Sequence, residues 1–161
     1  STNHGGGSVI SQLLNLPSSR VPRPNFDKAL KSFIAIHKAI QKNVILACHD
    51  MAEGGLAVTL SEMVMGSQGL GIEVDIGLCP TTDKTDLSAI IFGETPSRFI
   101  AEVDAGKITE FKEIMQGVSW SQIGSVTEGD NLIISKNNED LIRTGQKNLL
   151  IAKNILINLK R

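Results

Sequence analysis

The sequence predicts an α/β domain in which a mixed sheet is flanked by helices, and three observations predict it. The β-branched apolar run Val44–Cys48 reads as a buried strand and leads through a glycine turn into Leu56, Val58, Leu60, Met63 and Val64 at helical spacing, which is a βα unit. From Gly69 the chain alternates, with Leu70, Ile72, Val74 and Ile76 on one side and Gly71, Glu73 and Asp75 on the other, as a half-buried strand does. Two short β-rich segments, Ser121–Val126 and Asn131–Ser135, flank Glu128-Gly129-Asp130 and read as a hairpin. Parallel-type units mixed with antiparallel pieces give an α/β sandwich.

The remaining elements follow in order. Ser1–Gly7 is polar and glycine-rich and reads as a flexible end. Ser8–Leu16 carries Val9, Ile10, Leu13, Leu14 and Leu16 and predicts a short helix stopped by Pro17. A helix of about four turns is expected from Asn25 or Phe26, capped by Asn25, with Phe26, Leu30, Phe33, Ile34, Ile36, His37 and Ile40 as its apolar face. The βα unit's helix ends at Gly66, and the strand from Gly69 is expected at a sheet edge or with one solvent face. Pro80–Asp86 is a loop, Leu87–Ile91 a short helix or strand, Arg98–Val103 a strand and Lys107–Met115 a helix. Asp140–Leu159 is expected to be one long amphipathic helix, weakly interrupted by Gly145.

At 161 residues, 41% apolar and 20% charged, the chain suits a single folded domain, 1–161, and not a disordered segment. A formal charge of −1 with dispersed Lys and Arg offers no basic stripe for nucleic acid. The longest apolar runs, such as Ile90-Ile91-Phe92, fall far short of the ~20 residues that cross a bilayer, and no signal segment opens the chain, so a soluble cytoplasmic protein is expected. Cys48 and Cys79 lack C-x-x-C spacing and read as reduced, partly buried thiols. No metal site emerges from His4, His37 and His49.

Two turns carry the candidate chemistry. Asp50, Gly54 and Gly55 lie between a strand and a helix, where backbone N–H groups and a helix N-terminus can face an anion; the same residues also suit a capping Asp and a tight glycine turn. His49 beside Asp50 reads as structural, because neighbours on a strand point to opposite sides. Glu94, Ser97 and Arg98 crowd a carboxylate, a hydroxyl and a guanidinium into one turn, suited to a phosphate or sugar or to a Glu94–Arg98 ion pair. Trp120, with no second aromatic to accompany it, reads as core or domain-interface filler and not a stacking platform.

Three stretches, HDMAEGGLAVTLSEM (His49–Met63), GLGIEVD (Gly69–Asp75) and IFGETPSRFIAEVD (Ile91–Asp104), resemble the C-terminal domain of the aminoimidazole ribonucleotide synthetase superfamily, and within it the phosphoribosylformylglycinamidine synthases. Gly5-Gly6-Gly7-Ser8 resembles the Gly-Gly-Ser entering that domain, which adds Gly6, Gly7 and Ser8 to the candidate ligand-binding residues, and Ile123-Gly124-Ser125-Val126 with Gly129 and Asp130 is similar to its closing hairpin. HD-x-x-x-GGL with FGE-x-x-SR looks like the second of two tandem repeats in the small, multi-subunit form.

The resemblance implies an ATP- and Mg-dependent C–N ligase of purine synthesis that converts formylglycinamide ribonucleotide to its amidine with glutamine-derived ammonia. In that family the catalytic histidine, most magnesium ligands and the triphosphate-binding residues lie in N-terminal domains, so this segment would hold no catalytic residue. Its implied partners are those N-terminal domains, a glutaminase and small accessory subunits, with an apolar surface where the neighbouring domain docks. The first repeat contacts the ribonucleotide through Glu-Ser-Gln where this chain has Glu94-Thr95-Pro96, and Pro96 removes the amide donors. A sister ATP-dependent synthetase of the aminoimidazole ribonucleotide or selenophosphate type, or a non-catalytic binding or scaffold module, are the competing readings.

Overall fold

The computed structural model describes residues 8–15, 21–81 and 85–159. In chain order the elements are α1 (Val9–Leu13), α2 (Phe26–Gln41), β1 (Ile45–Asp50), α3 (Gly55–Gly66), β2 (Leu70–Asp75), α4 (Leu87–Phe92), β3 (Phe99–Val103), α5 (Ile108–Ile114), β4 (Gly124–Glu128), β5 (Asn131–Lys136), β6 (Glu139–Gly145) and α6 (Gln146–Leu159). The chain divides into two compact units, Ser1–Thr59 with Pro80–Ser121, and Leu60–Cys79 with Gln122–Arg161. Mixed parallel and antiparallel pairing with flanking helices is the predicted class.

In the first unit α2 begins where expected. Asn25 Oδ1 accepts from Lys28 N at 3.0 Å, and Asp27 and Lys38 sit at the ends that suit the helix dipole. The buried positions of α2, however, are Ala29, Ala35 and Ala39, while Phe26, Leu30, Phe33, Ile34 and Ile40 are exposed. Alanines let the helix axis approach its neighbours closely, so this core forms from Ala35, Ala39, Val44, Ile45, Phe111 and Met115. Trp120 packs against it, and its ring meets Phe111 edge to face at 5.2 Å, so a second aromatic does accompany it, though not from nearby in sequence.

β1 pairs antiparallel with β3, from Ile45↔Val103 to Asp50↔Phe99. Its burial alternates, with Leu46, Cys48 and Asp50 exposed, so the apolar run Val44–Cys48 is a one-sided strand and not a buried one. Leu87–Phe92 is helical, and Ile90 and Ile91 are its buried residues.

The second unit holds a four-stranded sheet in the order β4-β2-β5-β6. β2 pairs antiparallel with β4 and parallel with β5. Two expectations fall here. The segments either side of Glu128-Gly129-Asp130 are strands but do not form a hairpin, because β2 lies between them, and of the two readings of β2 the sheet edge falls, since β2 is central, although its Leu70 and Glu73 are exposed. A short turn cannot show whether a third strand separates its arms.

The hairpin in this sheet is β5–β6, closed at Lys136↔Glu139 by Asn137 and Asn138 at φ +52° and +67°. Two left-handed residues in a two-residue loop match the right-handed strand twist, and Asn tolerates that conformation. The expected helix from Asp140 is therefore a strand to Gly145 followed by a helix from Gln146. Gln146 Nε2 donates to the carbonyls of Val64 at 2.8 Å and Ser67 at 3.1 Å, satisfying acceptors at the end of α3. Val64, Val74, Ile76, Leu132, Ile133 and Ile134 are buried here, three of them consecutive in β5.

Candidate functional site

The two candidate turns fold against each other in the first unit. β1 delivers His49-Asp50 to the turn 51–54, and the Met51 amide donates to Arg98 O at 2.9 Å, carrying the β1–β3 pairing one step into both turns. Gly54 and Gly55 have φ of +77° and +62°. A Cβ on Gly55 would stand 2.7 Å from Gly93 O and 2.8 Å from Phe92 C, so glycine here permits both the left-handed turn and backbone contact with the second loop.

Glu94 joins three segments. Its Oε1 accepts from Gly54 N at 3.0 Å and from Val9 N at 2.9 Å, tying the glycine turn to the start of α1. The spacing suggests an ion pair with Arg98, but the carboxylate binds backbone N–H groups. Arg98 instead donates from Nε to Thr95 O at 3.0 Å and from a terminal nitrogen to Gly93 O, wrapping its own turn. Ser97, at φ +64°, holds the left-handed kink before β3.

Ser8 is buried and caps α1, its Oγ accepting from Ser11 N at 3.3 Å. Gly6 and Gly7 lie outside the described residues. Asp50 is exposed, and its carboxylate lies 3.5 Å from His49 Nδ1, while the same nitrogen donates to Asp50 O at 2.7 Å. The strand ends at Asp50, so neighbours that strand geometry would separate come together. The Asp50 carbonyl also accepts from Thr59 Oγ1 at 3.3 Å, which fastens the end of β1 to α3.

Cys48 is exposed on β1, and partial burial of the thiol, with Asp50 close by, pushes its pKa up. A thiol held in its neutral form is a poor nucleophile at neutral pH.

This arrangement brings Ser8, Gly54, Gly55, Glu94, Ser97 and Arg98 to one place with Asp50 at its edge. Two backbone N–H groups that could face a phosphate face a carboxylate of the chain itself. Among the described residues no group of three or more His, Cys, Asp or Glu is placed to hold a metal ion. The residues of this turn therefore do not fit a nucleotide triphosphate with Mg²⁺ unaided. A cleft of about 410 Å³ in the second unit, lined by Glu73, Asp75, Asp140 and Arg143 among others, was not foreseen from sequence. Within it Arg143 Nε donates to Asp140 at 2.8 Å and Asp75 accepts from Gly77 N at 2.8 Å.

The sequence profile described as AIR synthase related protein, C-terminal domain, matches residues 1–137. The chain belongs to that family. As an AIR synthase related C-terminal domain it is 29% identical over 147 residues to the phosphoribosylformylglycinamidine synthase subunit PurL of a Nostoc species, covering 88% of this chain and 18% of that protein. The AIR synthase related fold is also that of Thermotoga maritima PurL complexed with FGAR, at 17% identity and TM-score 0.66 over 75% of this chain and 20% of that one. PurLQS from the same organism superposes over 91% of this chain and 24% of its own, at 16% identity and TM-score 0.69. The chain spans about a fifth of the length of the curated relatives it matches.

Proposed function

We propose that this chain is the C-terminal domain of the second repeat of a phosphoribosylformylglycinamidine synthase, the ATP- and glutamine-dependent ligase that makes the amidine of formylglycinamide ribonucleotide in the cytoplasm. The observation that carries this reading is the mutual folding of the HD-x-x-x-GGL and FGE-x-x-SR turns through Glu94 and Gly55, inside a chain of the AIR synthase related family.

In this reading the domain shapes and supports a ligand cleft and is not itself a catalyst. Glu94, Arg98 and Ser8 fix the two turns, and N-terminal domains of the same enzyme supply the ATP, Mg²⁺ and catalytic residues. A glutaminase and a small accessory subunit are its further partners, by analogy with the PurLQS assembly of Thermotoga maritima.

Two measurements test it. Expression of the gene that carries these residues, together with its glutaminase and accessory-subunit genes, in a purine auxotroph lacking the synthase is expected to restore growth without purines, and soluble expression of all of them without growth would sink the assignment. Isothermal titration of the 161-residue chain with ATP plus Mg²⁺, and separately with formylglycinamide ribonucleotide, is expected to show no saturable heat. Saturable binding of either would overturn the supporting role and make Asp50 and Glu94 the first positions to substitute.

A further inference from the structure

The sheet of the second unit buries one face and opens a trough on the other. Val74, Leu132 and Ile134 lie on the buried face. The strand registers set Ser125, Glu73, Ile133 and Arg143 in one row across the opposite face, and Asp75, Ser135 and Asp140 in the next. β5 is the floor of the trough. Its Ile133 is sunk to 8% exposure, and Ser135 Oγ turns down to donate to Val74 O at 3.1 Å. β2 and β6 are the walls, about 10 Å apart, which is two strand spacings. The cleft of about 410 Å³ between them falls in the range of about 300–1,000 Å³ that takes small molecules.

The two walls differ in charge. On the β2 side Glu73 is exposed, and its carboxylate has no partner among the described residues. Asp75 Oδ1 is fixed by Gly77 N at 2.8 Å, which leaves its second oxygen open to the cleft. On the β6 side Asp140 Oδ2 lies 2.8 Å from Arg143 Nε and 2.7 Å from one terminal nitrogen. That pair holds the guanidinium in place and leaves the other terminal nitrogen to an incoming acceptor. Three carboxylates against one guanidinium give the lining a net charge of −2. Among the described residues no three such groups are placed to share a metal ion, so the cation that suits this cleft is organic.

We infer that the cleft binds a free α-amino acid with a cationic side chain. The ligand's carboxylate meets Arg143, its ammonium group and side-chain cation meet Glu73 and Asp75, and its methylenes lie over Ile133 beside Leu78. A ligand with two cations and one carboxylate answers both walls. A plain diamine leaves the guanidinium without an anion, and an amino acid with a neutral side chain leaves one carboxylate of β2 without a cation. Every lining residue belongs to the second unit, so the inference stands apart from the reading of the two turns in the first.

The test is a titration of the isotope-labelled 161-residue chain with L-arginine at constant ionic strength, followed by amide chemical shifts. Saturable shifts centred on residues 73–75, 133–135 and 140–143 are expected, with half-saturation below about 1 mM. Agmatine, which lacks the carboxylate, and L-citrulline, which lacks the side-chain charge, are each expected to bind about tenfold more weakly. Glu73→Gln and Arg143→Gln change exposed side chains, are expected to keep the circular dichroism of the wild type, and are each expected to weaken L-arginine by about tenfold. No saturable shift up to about ten times that concentration overturns the proposal, as do shifts centred elsewhere. Agmatine or L-citrulline binding as tightly as L-arginine overturns the ligand class, and unchanged affinity in either folded variant overturns the placement.

Discussion

Glu94 holds two backbone N–H groups on one carboxylate oxygen, and this makes it the most consequential side chain of the two turns. Hydrogen bonds to a charged acceptor are worth about 1.5–3 kcal/mol each, and the partial exposure of Glu94 argues for the lower end. Glu94→Ala is expected to cost about 2–3 kcal/mol in denaturant unfolding, and Glu94→Gln, which keeps a neutral acceptor, about half as much. Because the Ala variant leaves both N–H groups facing a vacated anion position, added formate is expected to raise its melting temperature and leave the wild type unchanged. An unchanged Ala variant would contradict the structural role. The presence of Glu94 in a polar turn was legible in the sequence. Its partners were not, since Val9 and Gly54 lie 85 and 40 residues away and backbone donors leave no mark in composition.

At the scale of elements, local chemistry was read well and pairing poorly. Asn25 capping α2, the glycine turn into α3 and the end of α3 at Gly66 are all set within a few residues, and the sequence displayed them. The orientation of α2 was not displayed, because periodicity marks the large apolar stripe and not which stripe the fold covers. The strand Glu139–Gly145 was missed because Leu141 and Ile142 are adjacent and fit either period, leaving the Asn137-Asn138 pair as the only local sign of a hairpin. Asn138→Gly is expected to stabilise the chain by about 0.5–1 kcal/mol, since glycine takes a left-handed conformation without the Cβ penalty. Urea unfolding checks it, and destabilisation would mean that the Asn138 side chain contributes more than the turn conformation costs.

For the molecule as a whole, the class of fold was predictable and the strand order was not. Alternating βα and β-rich segments fix an α/β composition, but the position of β2 between β4 and β5 depends on contacts across more than fifty residues. The sheets differ in how well their strands are covered. β2 and β5 are each paired on both sides and hold Val74, Leu132, Ile133 and Ile134 in the core, whereas β1 and β3 form a two-stranded ribbon with an exposed face. Native-state hydrogen exchange is expected to protect the amides of Val74 and Leu132–Ile134 by about two orders of magnitude more than those of β1 at mid-strand. Comparable protection in the two sheets would show that the ribbon is stabilised by more than its own pairing.

The central placement of β2 also bears on how the chain reaches this state. β4 and β5 are joined by two residues, Gly129 and Asp130, and could meet within microseconds of being free to move. The native sheet requires them to stay apart until a strand made fifty residues earlier is inserted between them. The closest segments in sequence are thus kinetic competitors of the native pairing, and loop closure over a long stretch of chain, not local turn formation, sets the pace of assembly.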